Sequence, residues 1–302
     1  MNTSIKTSMG ISEWIMLIIL SILWGGSFFF VGVAVSELPP FTIVTIRVGF
    51  AAVALWAVIF SLKMSLPTTI KAWKALLIMG LLNNVIPFTL IVWGQIYIPS
   101  GLASILNATT PLFGVIVAAL FLPDEKATAL KVVGVIVGFF GVVLMFGLPD
   151  DNQNFLAQLA ILGATLTYAF AGVFGRRFKA MAINPIVTAA GQVTGATVLL
   201  VPITYMIEGV PSLQTVSNET WMSLIALALL STAVAYILYF KILERAGATN
   251  LLLVTLLVPV SAILLGALFL NEKLDISHFI GMAFIAIGLS AIDGRLWKKF
   301  RK

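Results

Sequence analysis

The sequence contains no cysteine and only one histidine, His278, among its 302 residues. The missing cysteines exclude disulfides, thiolate nucleophiles and cysteine-bound metal ions. One histidine is too few for a histidine-ligated metal site and argues against a Ser–His catalytic pair at membrane depth. There is also no Walker motif and no segment long enough for a nucleotide-binding domain. We therefore expect no metal, no cofactor and no enzymatic activity.

Charge is scarce as well: 10% of the residues are charged, whereas 60% are hydrophobic. Soluble domains carry about 25% charged residues, and no soluble fold of this size could bury so much apolar surface. The sequence therefore predicts an integral membrane protein whose solvent is the lipid bilayer. Its net charge of +6 is better explained by basic loops on one side of a membrane than by nucleic acid, which we do not expect as a partner.

Acidic residues are missing from the centre of every apolar stretch, because all twelve lie in loops, tails or the ends of these stretches. A carboxylate relay that carries protons through the bilayer, common in pumps, therefore has no candidate residue.

Ten stretches are long and apolar enough to cross a bilayer, which takes about 20 residues each. The predicted spans, numbered 1 to 10, are 14–35, 40–62, 72–96, 99–121, 129–146, 155–174, 185–206, 220–240, 248–270 and 276–293. The first is too long for a signal-peptide core and has no small-residue cleavage pattern, so we expect it to remain as a span. The predicted fold is all-α and membrane-integral.

Lysine and arginine are distributed unevenly between the two sides of this arrangement. If the N-terminus is cytoplasmic, 16 of the 18 basic residues fall on the inner side, in the loops after even-numbered spans and in the two tails. Only Lys273 is then outside, and Arg47 lies within span 2. By the positive-inside rule, both termini are predicted to be cytoplasmic in a multi-pass protein of the cell membrane. The loops after odd-numbered spans form the predicted outer face.

The chain repeats itself. "PLFGVIVAALFLPDEK" begins at Pro111 and "PVSAILLGALFLNEKL" begins 148 positions later at Pro259. Other matched pairs are Gly134 and Gly281, Gly141 and Gly288, Pro40 and Pro185, Asn83 and Ser231, and Asn84 and Thr232. The repeats are predicted as residues 1–147 and 148–302, with five spans each. Because five is odd, the second repeat is inverted relative to the first, an arrangement found in transporters that alternate access.

The two matched prolines are predicted to break spans 4 and 9 near the membrane midplane. A proline within a helix cannot bond to the carbonyl four residues earlier, so Pro111 frees that of Asn107 and Pro259 that of Thr255. Free carbonyls face protein or water rather than lipid, which places these breaks beside a central cavity. A plain structural kink is the alternative.

Arg47 is the only charged residue well inside a span, and Gln192 is its counterpart in the second repeat. An arginine at a helix centre costs about 2.5–3.5 kcal/mol on insertion scales, so it suggests a function. Its guanidinium could hold a substrate carboxylate through two parallel bonds. Alternatively, Arg47 bonds helix carbonyls or extends outward to Glu37.

Further cavity candidates near mid-membrane are Trp24, Tyr168, Asn83, Asn84, Ser231 and Thr232. Helix packing explains the two aromatic residues nearly as well, and interhelical hydrogen bonds are the alternative for the polar ones. Tyr236, nearer the end of span 8, is a further candidate, with anchoring at the membrane interface as its alternative. A glycine stripe in span 5, at Gly134, Gly138 and Gly141, favours close helix packing, with a homodimer interface as the second interpretation.

Three longer stretches, one in span 1, one in span 2 and one in span 4, are "LSILWGGSFFFVGVAV", "PPFTIVTIRVGFAA" and "SGLASILNATTPLFGVIVAALFLPDEK". In these stretches, and over nearly the whole chain, the sequence resembles the EamA family of the drug/metabolite transporter superfamily. The resemblance implies ten helices, with spans 1, 3, 4, 6, 8 and 9 around the cavity and spans 5 and 10 behind them. It also implies mostly outward transport of amino acids, other metabolites or drugs. "LPDEK" departs from the family, in which a glycine or one polar residue more often precedes the glutamate.

The leading hypothesis is a secondary-active or facilitative exporter of a small molecule such as an amino acid, working by alternating access between the repeats. The alternatives are multidrug efflux and, less favoured, a membrane scaffold or sensor that transports nothing. Drug cations would lack an acidic partner in this cavity, and a scaffold leaves the matched broken helices unexplained.

Overall fold

The computed structural model describes residues 10–123, 128–145, 152–210, 212–251 and 253–293. The departure from the family at 124–126 and most of both tails, with their basic residues, lie outside these ranges. Seven of the described helices are long and apolar enough to cross a membrane, and three shorter apolar helices bring the total to ten. The all-helical fold predicted from the sequence is therefore confirmed.

Several spans are built from more than one helical element. The α-helices are α1 Ile11–Ala34, α2 Pro40–Ser61, α3 Ile70–Gly80, α4 Ile86–Gly94, α5 Ser100–Asn107, α6 Thr110–Phe121, α7 Ala129–Met145, α8 Asn152–Ala180, α9 Pro185–Glu208, α10 Asn218–Ala228, α11 Ala235–Leu251, α12 Val254–Phe269 and α13 Ile276–Asp293. A first π segment, Leu81–Val85, joins α3 to α4 in span 3, and a second, Leu229–Val234, joins α10 to α11 in span 8.

Equivalent loops of the two repeats lie at opposite ends of the bundle. The loop after span 1 contacts the segment after span 7, because Glu37 bonds to Ser217. Its counterpart, the loop after span 6, shares a cavity with the loop after span 2 at the other end of α2. The repeats are thus inverted relative to each other, as the odd number of spans per repeat predicts.

The glycine stripe of span 5 packs within the chain. α7 lies against α13, and a Cβ on Gly134 would come 2.6 Å from the carbonyl oxygen of Gly288. A Cβ on Gly141 would come 2.5 Å from the carbonyl oxygen of Gly281. The glycines therefore let two backbones approach closely, which agrees with the packing interpretation. The homodimer remains a prediction.

The two prolines behave differently. Span 4 breaks between α5 and α6 at Ala108 and Thr109, and Pro111 is the second residue of α6, as expected. Span 9 does not break at its proline, because α12 begins at Val254 and continues through Pro259. The expectation of matched breaks is therefore wrong for span 9. Proline removes only one hydrogen bond, and here it does so early in the helix, where the turn before it still forms.

Candidate functional site

The two π segments occupy equivalent positions in the repeats, since Leu81 and Leu229 at their starts are 148 residues apart. A π turn inserts one extra residue into a helix and is common at functional sites. The first carries Asn83 and Asn84, and the second carries Ser231 and Thr232. The sequence paired these residues correctly, but it gave no indication that both helices are wound in this wider form.

Arg47 of α2 points at the second π segment. Its Nε donates to Thr232 Oγ1 over 2.9 Å, and this hydroxyl donates onward to the carbonyl of Leu227. The guanidinium carbon lies 3.7 Å from the ring centroid of Phe88, a cation–π contact. With only 6% of its surface exposed, Arg47 is held between spans 2, 3 and 8.

The alternative that Arg47 reaches Glu37 is wrong. Glu37 bonds instead to the backbone N–H and the hydroxyl of Ser217, at 2.8 and 2.6 Å. The sequence also missed Phe88, and no signal marks it, because a phenylalanine in an apolar span is indistinguishable from ordinary packing.

Amide groups from spans 3 and 7 and the hydroxyl of Tyr236 on span 8 are joined by hydrogen bonds. The side-chain N–H groups of Asn83 and Asn84 donate to this hydroxyl at 3.3 and 3.0 Å. Asn83 also donates to Gln192 Oε1 over 3.3 Å, which brings in α9 of span 7. Six of the predicted residues therefore form two neighbouring hydrogen-bonded groups, one of two residues and one of four, where spans 2 and 3 of the first repeat face spans 7 and 8 of the second. We call this set, Arg47, Asn83, Asn84, Gln192, Thr232 and Tyr236, the polar hub.

Binding capacity is left over around the hub. Nε is the only nitrogen of the Arg47 guanidinium that has a hydrogen bond within the described part of the chain. Asn84 Oδ1 and Ser231 Oγ are buried and have no hydrogen-bond partner there either. An unsatisfied buried polar group costs about 1–3 kcal/mol, so such groups call for an explanation. Together they offer donors to an anionic group and acceptors to a cationic one.

Tyr168 and Trp24 lie near the hub without bonding to it. Tyr168 packs against both main apolar clusters and lies within electrostatic reach of Arg47. Trp24 stacks at a tilt on Tyr239, with ring centroids 5.6 Å apart. These rings can supply an apolar wall for a bound molecule, as the sequence suggests.

The candidates on spans 4 and 9 form no part of the hub. Asn107, whose Oδ1 is buried and unpartnered in the described structure, ends α5 directly before the break, and Pro111 follows it. Thr255 and Pro259 lie in the first half of α12. The hydrogen bonds of the hub, as far as the structure describes them, do not reach these four residues.

No group of three or more histidine, aspartate or glutamate residues that could hold a metal ion occurs among the described residues. The hub is built from one guanidinium, amides and hydroxyls. These groups can donate and accept hydrogen bonds, and the guanidinium adds one positive charge.

Comparison with known proteins gives the same picture over the whole chain. The chain is 29% identical over 277 residues to the transporter YoaV of Bacillus subtilis, covering 90% of this chain and 94% of YoaV. It is 25% identical over 297 residues to a probable amino-acid metabolite efflux pump of Escherichia coli, covering 95% and 97% of the two chains. A crystal structure with 19% sequence identity superposes with a TM-score of 0.69 over 96% of this chain and 99% of the other, which shows a shared fold.

A family model matches the chain twice, at residues 12–147 and 155–292, once for each repeat. These matches cover well over half of the chain. The protein is a multi-pass membrane protein, and it belongs to the EamA-like transporter family.

Proposed function

We propose that this protein exports small metabolites, amino acids above all, as a secondary-active or facilitative transporter. The moving units are the repeats 1–147 and 148–302, and the substrate binds at the polar hub between them. Alternating access follows when the inverted halves rock about that site. The termini are cytoplasmic and the protein lies in the cell membrane, as the charge distribution favours.

The observation that carries this proposal is a buried guanidinium with free bonding capacity at the boundary between the repeats. Two of its nitrogens can hold a carboxylate in a bidentate pair, the strongest arrangement available to arginine. The free oxygens of Asn84 and Ser231 can accept from an ammonium group. A molecule with both charges and an apolar side chain, such as a large neutral amino acid, matches this set of groups. The name of the Escherichia coli relative agrees with that substrate class.

Multidrug efflux is the second candidate, and the hub disfavours it for cationic drugs. The only full charge in the hub is positive, so a cation would meet repulsion in a medium of low dielectric constant. A non-transporting scaffold would leave both π segments and the unsatisfied polar atoms without a role.

Transport by purified protein in liposomes tests the proposal. Uptake of a labelled neutral amino acid should saturate, and Arg47→Gln should reduce this flux strongly. The same variant should change the flux of the corresponding amino-acid amide far less, because the amide has no carboxylate. Lys273→Gln, a charge change on the outer face, is the control and should leave both rates unchanged.

Two results would contradict the proposal at different levels. An absence of flux across a broad panel of amino acids would exclude amino acids as the substrate class. Equal loss of the acid and the amide in Arg47→Gln would make the arginine a structural residue that does not contact the carboxylate.

A further inference from the structure

The helices that begin spans 2 and 4 at the predicted outer face lack caps of their own. The first backbone N–H groups of a helix have no partner inside the helix and need an acceptor from elsewhere. In α2 and α5 the N-cap residues are Pro39 and Pro99, which provide no side-chain hydrogen bond. Their free N–H groups must therefore be satisfied by another part of the chain.

Glu208, the last residue of α9, supplies the cap of α2. Its carboxylate accepts from the N–H groups of Phe41 and Thr42 at 2.8 and 2.7 Å, and from the Thr42 hydroxyl at 2.8 Å. Glu208 belongs to the second repeat and α2 to the first. The bonds to the positive end of the helix are charge-assisted, so they join the repeats more firmly than neutral bonds would.

Glu272 performs the same role for α5. Its carboxylate oxygens accept from the N–H groups of Ser100 and Gly101 at 2.8 and 3.2 Å. Glu272 follows span 9 in the second repeat, whereas α5 is in the first. The Glu37–Ser217 contact crosses between the repeats on the same face in the opposite sense. All three carboxylates therefore fasten one repeat to the other at a single end of the bundle.

Two helices that begin at the other end are capped locally. Thr69 accepts from the N–H of Ala72 within the start of α3, and Asn184 accepts from the N–H of Ile186 within the start of α9. Between these two loops, one from each repeat, lies a cavity of about 560 Å³. The caps of α3 and α9 do not depend on the other repeat, so they do not resist separation of the repeats.

We propose that Glu208 and Glu272 form an outer gate, with Glu37 as a third and more exposed fastening. The inference rests on the proposed alternating access between the repeats. In the conformation described here the gate is closed, and the bonds of both carboxylates to the helix N-termini must break before the hub opens to the outer face. The assignment concerns conformational access and is independent of which substrate the hub binds.

A cysteine reporter beside Thr232 of the hub tests the gate, since the natural chain has no cysteine to interfere. Ser231→Cys places a thiol where only 1% of the side chain is exposed. A membrane-impermeant thiol reagent is added from the outer face to vesicles of known orientation. Adding Glu208→Ala and Glu272→Ala together should raise the labelling rate at least about tenfold, because losing the charge-assisted bonds shifts the population towards the open state. Glu219→Ala, which removes an exposed carboxylate of the same face, should leave the rate unchanged.

If the alanine variants do not fold, Glu→Gln variants at both positions serve as the test instead. Glutamine keeps one uncharged acceptor, so the labelling rate should fall between those of the parent and the alanine pair. A labelling rate equal to that of the parent in folded Glu208 and Glu272 variants would overturn the gate. Because labelling requires no substrate, that outcome is separate from an absence of amino-acid flux, which would overturn only the proposed function.

Discussion

The close contact between α7 and α13 makes a quantitative prediction about two glycines. In Gly134→Ala the new methyl carbon would lie 2.6 Å from the backbone oxygen of Gly288 and 3.0 Å from Ile292 Cγ1. In Gly141→Ala it would lie 2.5 Å from the backbone oxygen of Gly281. Backbone atoms cannot rotate away as side chains do, so the two helices would have to separate.

The magnitude follows from two opposing effects. Overpacking a close contact costs about 1–3 kcal/mol. Replacing glycine by alanine within a helix returns about 1 kcal/mol of helix propensity. Because both contacts are shorter than carbon–oxygen packing allows, we expect the upper part of the cost, and a net loss of about 1–2 kcal/mol for each substitution. The double variant should lose about 2–4 kcal/mol if the sites add.

Unfolding in detergent, followed by circular dichroism and by the fluorescence of the half-buried tryptophans, measures this loss. The matched control is Gly114→Ala in α6, where an added Cβ has no neighbour within 4 Å. This control gains helix propensity without a clash, so its stability should stay equal or rise. The two kinds of variant therefore have opposite predicted signs.

Equal stabilities for the Gly134 and Gly114 variants would refute the reasoning, since they would show that α7 and α13 do not depend on backbone contact. A Gly134 variant of unchanged stability that had lost self-association would point instead to the dimer interpretation of the stripe.

Three further predictions follow from the structure. The hydroxyl and N–H of Ser217 donate to Glu37 and lower the pKa of this carboxyl. The stability that this contact adds should be present above the unfolded-state pKa and should disappear as the pH falls through the folded-state pKa. Glu37→Gln should therefore flatten the acid limb of the thermal stability curve, and an unaltered limb would exclude the contact. Gly209 has φ +72° and ψ −152°, a region essentially restricted to glycine. Gly209→Ala should lower the free energy of unfolding by about 1–3 kcal/mol in the same assay, although its Cβ would meet no neighbour within 4 Å. An unchanged stability would show that the turn adapts. Tyr236→Phe leaves the buried amide of Asn84 without its acceptor and should lower the free energy of unfolding by about 1–3 kcal/mol. The control Tyr205→Phe, at an exposed site, should leave the stability unchanged. Equal stabilities of the two variants would mean that the amide finds another partner.

The spans could be predicted from the sequence because the signal is local. Twenty consecutive apolar residues satisfy the bilayer wherever they occur, and the starts of α2 and α9 at Pro40 and Pro185 match the predicted ones. The break after Asn107 was also predictable, because a proline acts on its own turn. The failure at Pro259 shows the limit of this rule, since the rest of the first turn of α12 still forms.

The hub was predictable only as a set of residue types. Asn83, Asn84, Ser231 and Thr232 stood out as polar residues at matched positions, and all four lie in π segments. The π winding itself has no sequence signature, because it depends on how neighbouring helices accommodate one extra residue. The sequence also suggested Trp24 as a weaker candidate, and Trp24 stacks on Tyr239 outside the hub.

The sequence by itself determined that the protein lies in a membrane, that it spans it as ten helices and that its halves are inverted, because apolar length and repeat parity are properties of the chain alone. Tertiary structure decided which groups meet: Arg47 with Thr232, and the carboxylates of Glu208 and Glu272 with the uncapped starts of α2 and α5. The partners in these contacts are more than 150 residues apart. Only the packing of one repeat against the other brings such distant groups within hydrogen-bond distance.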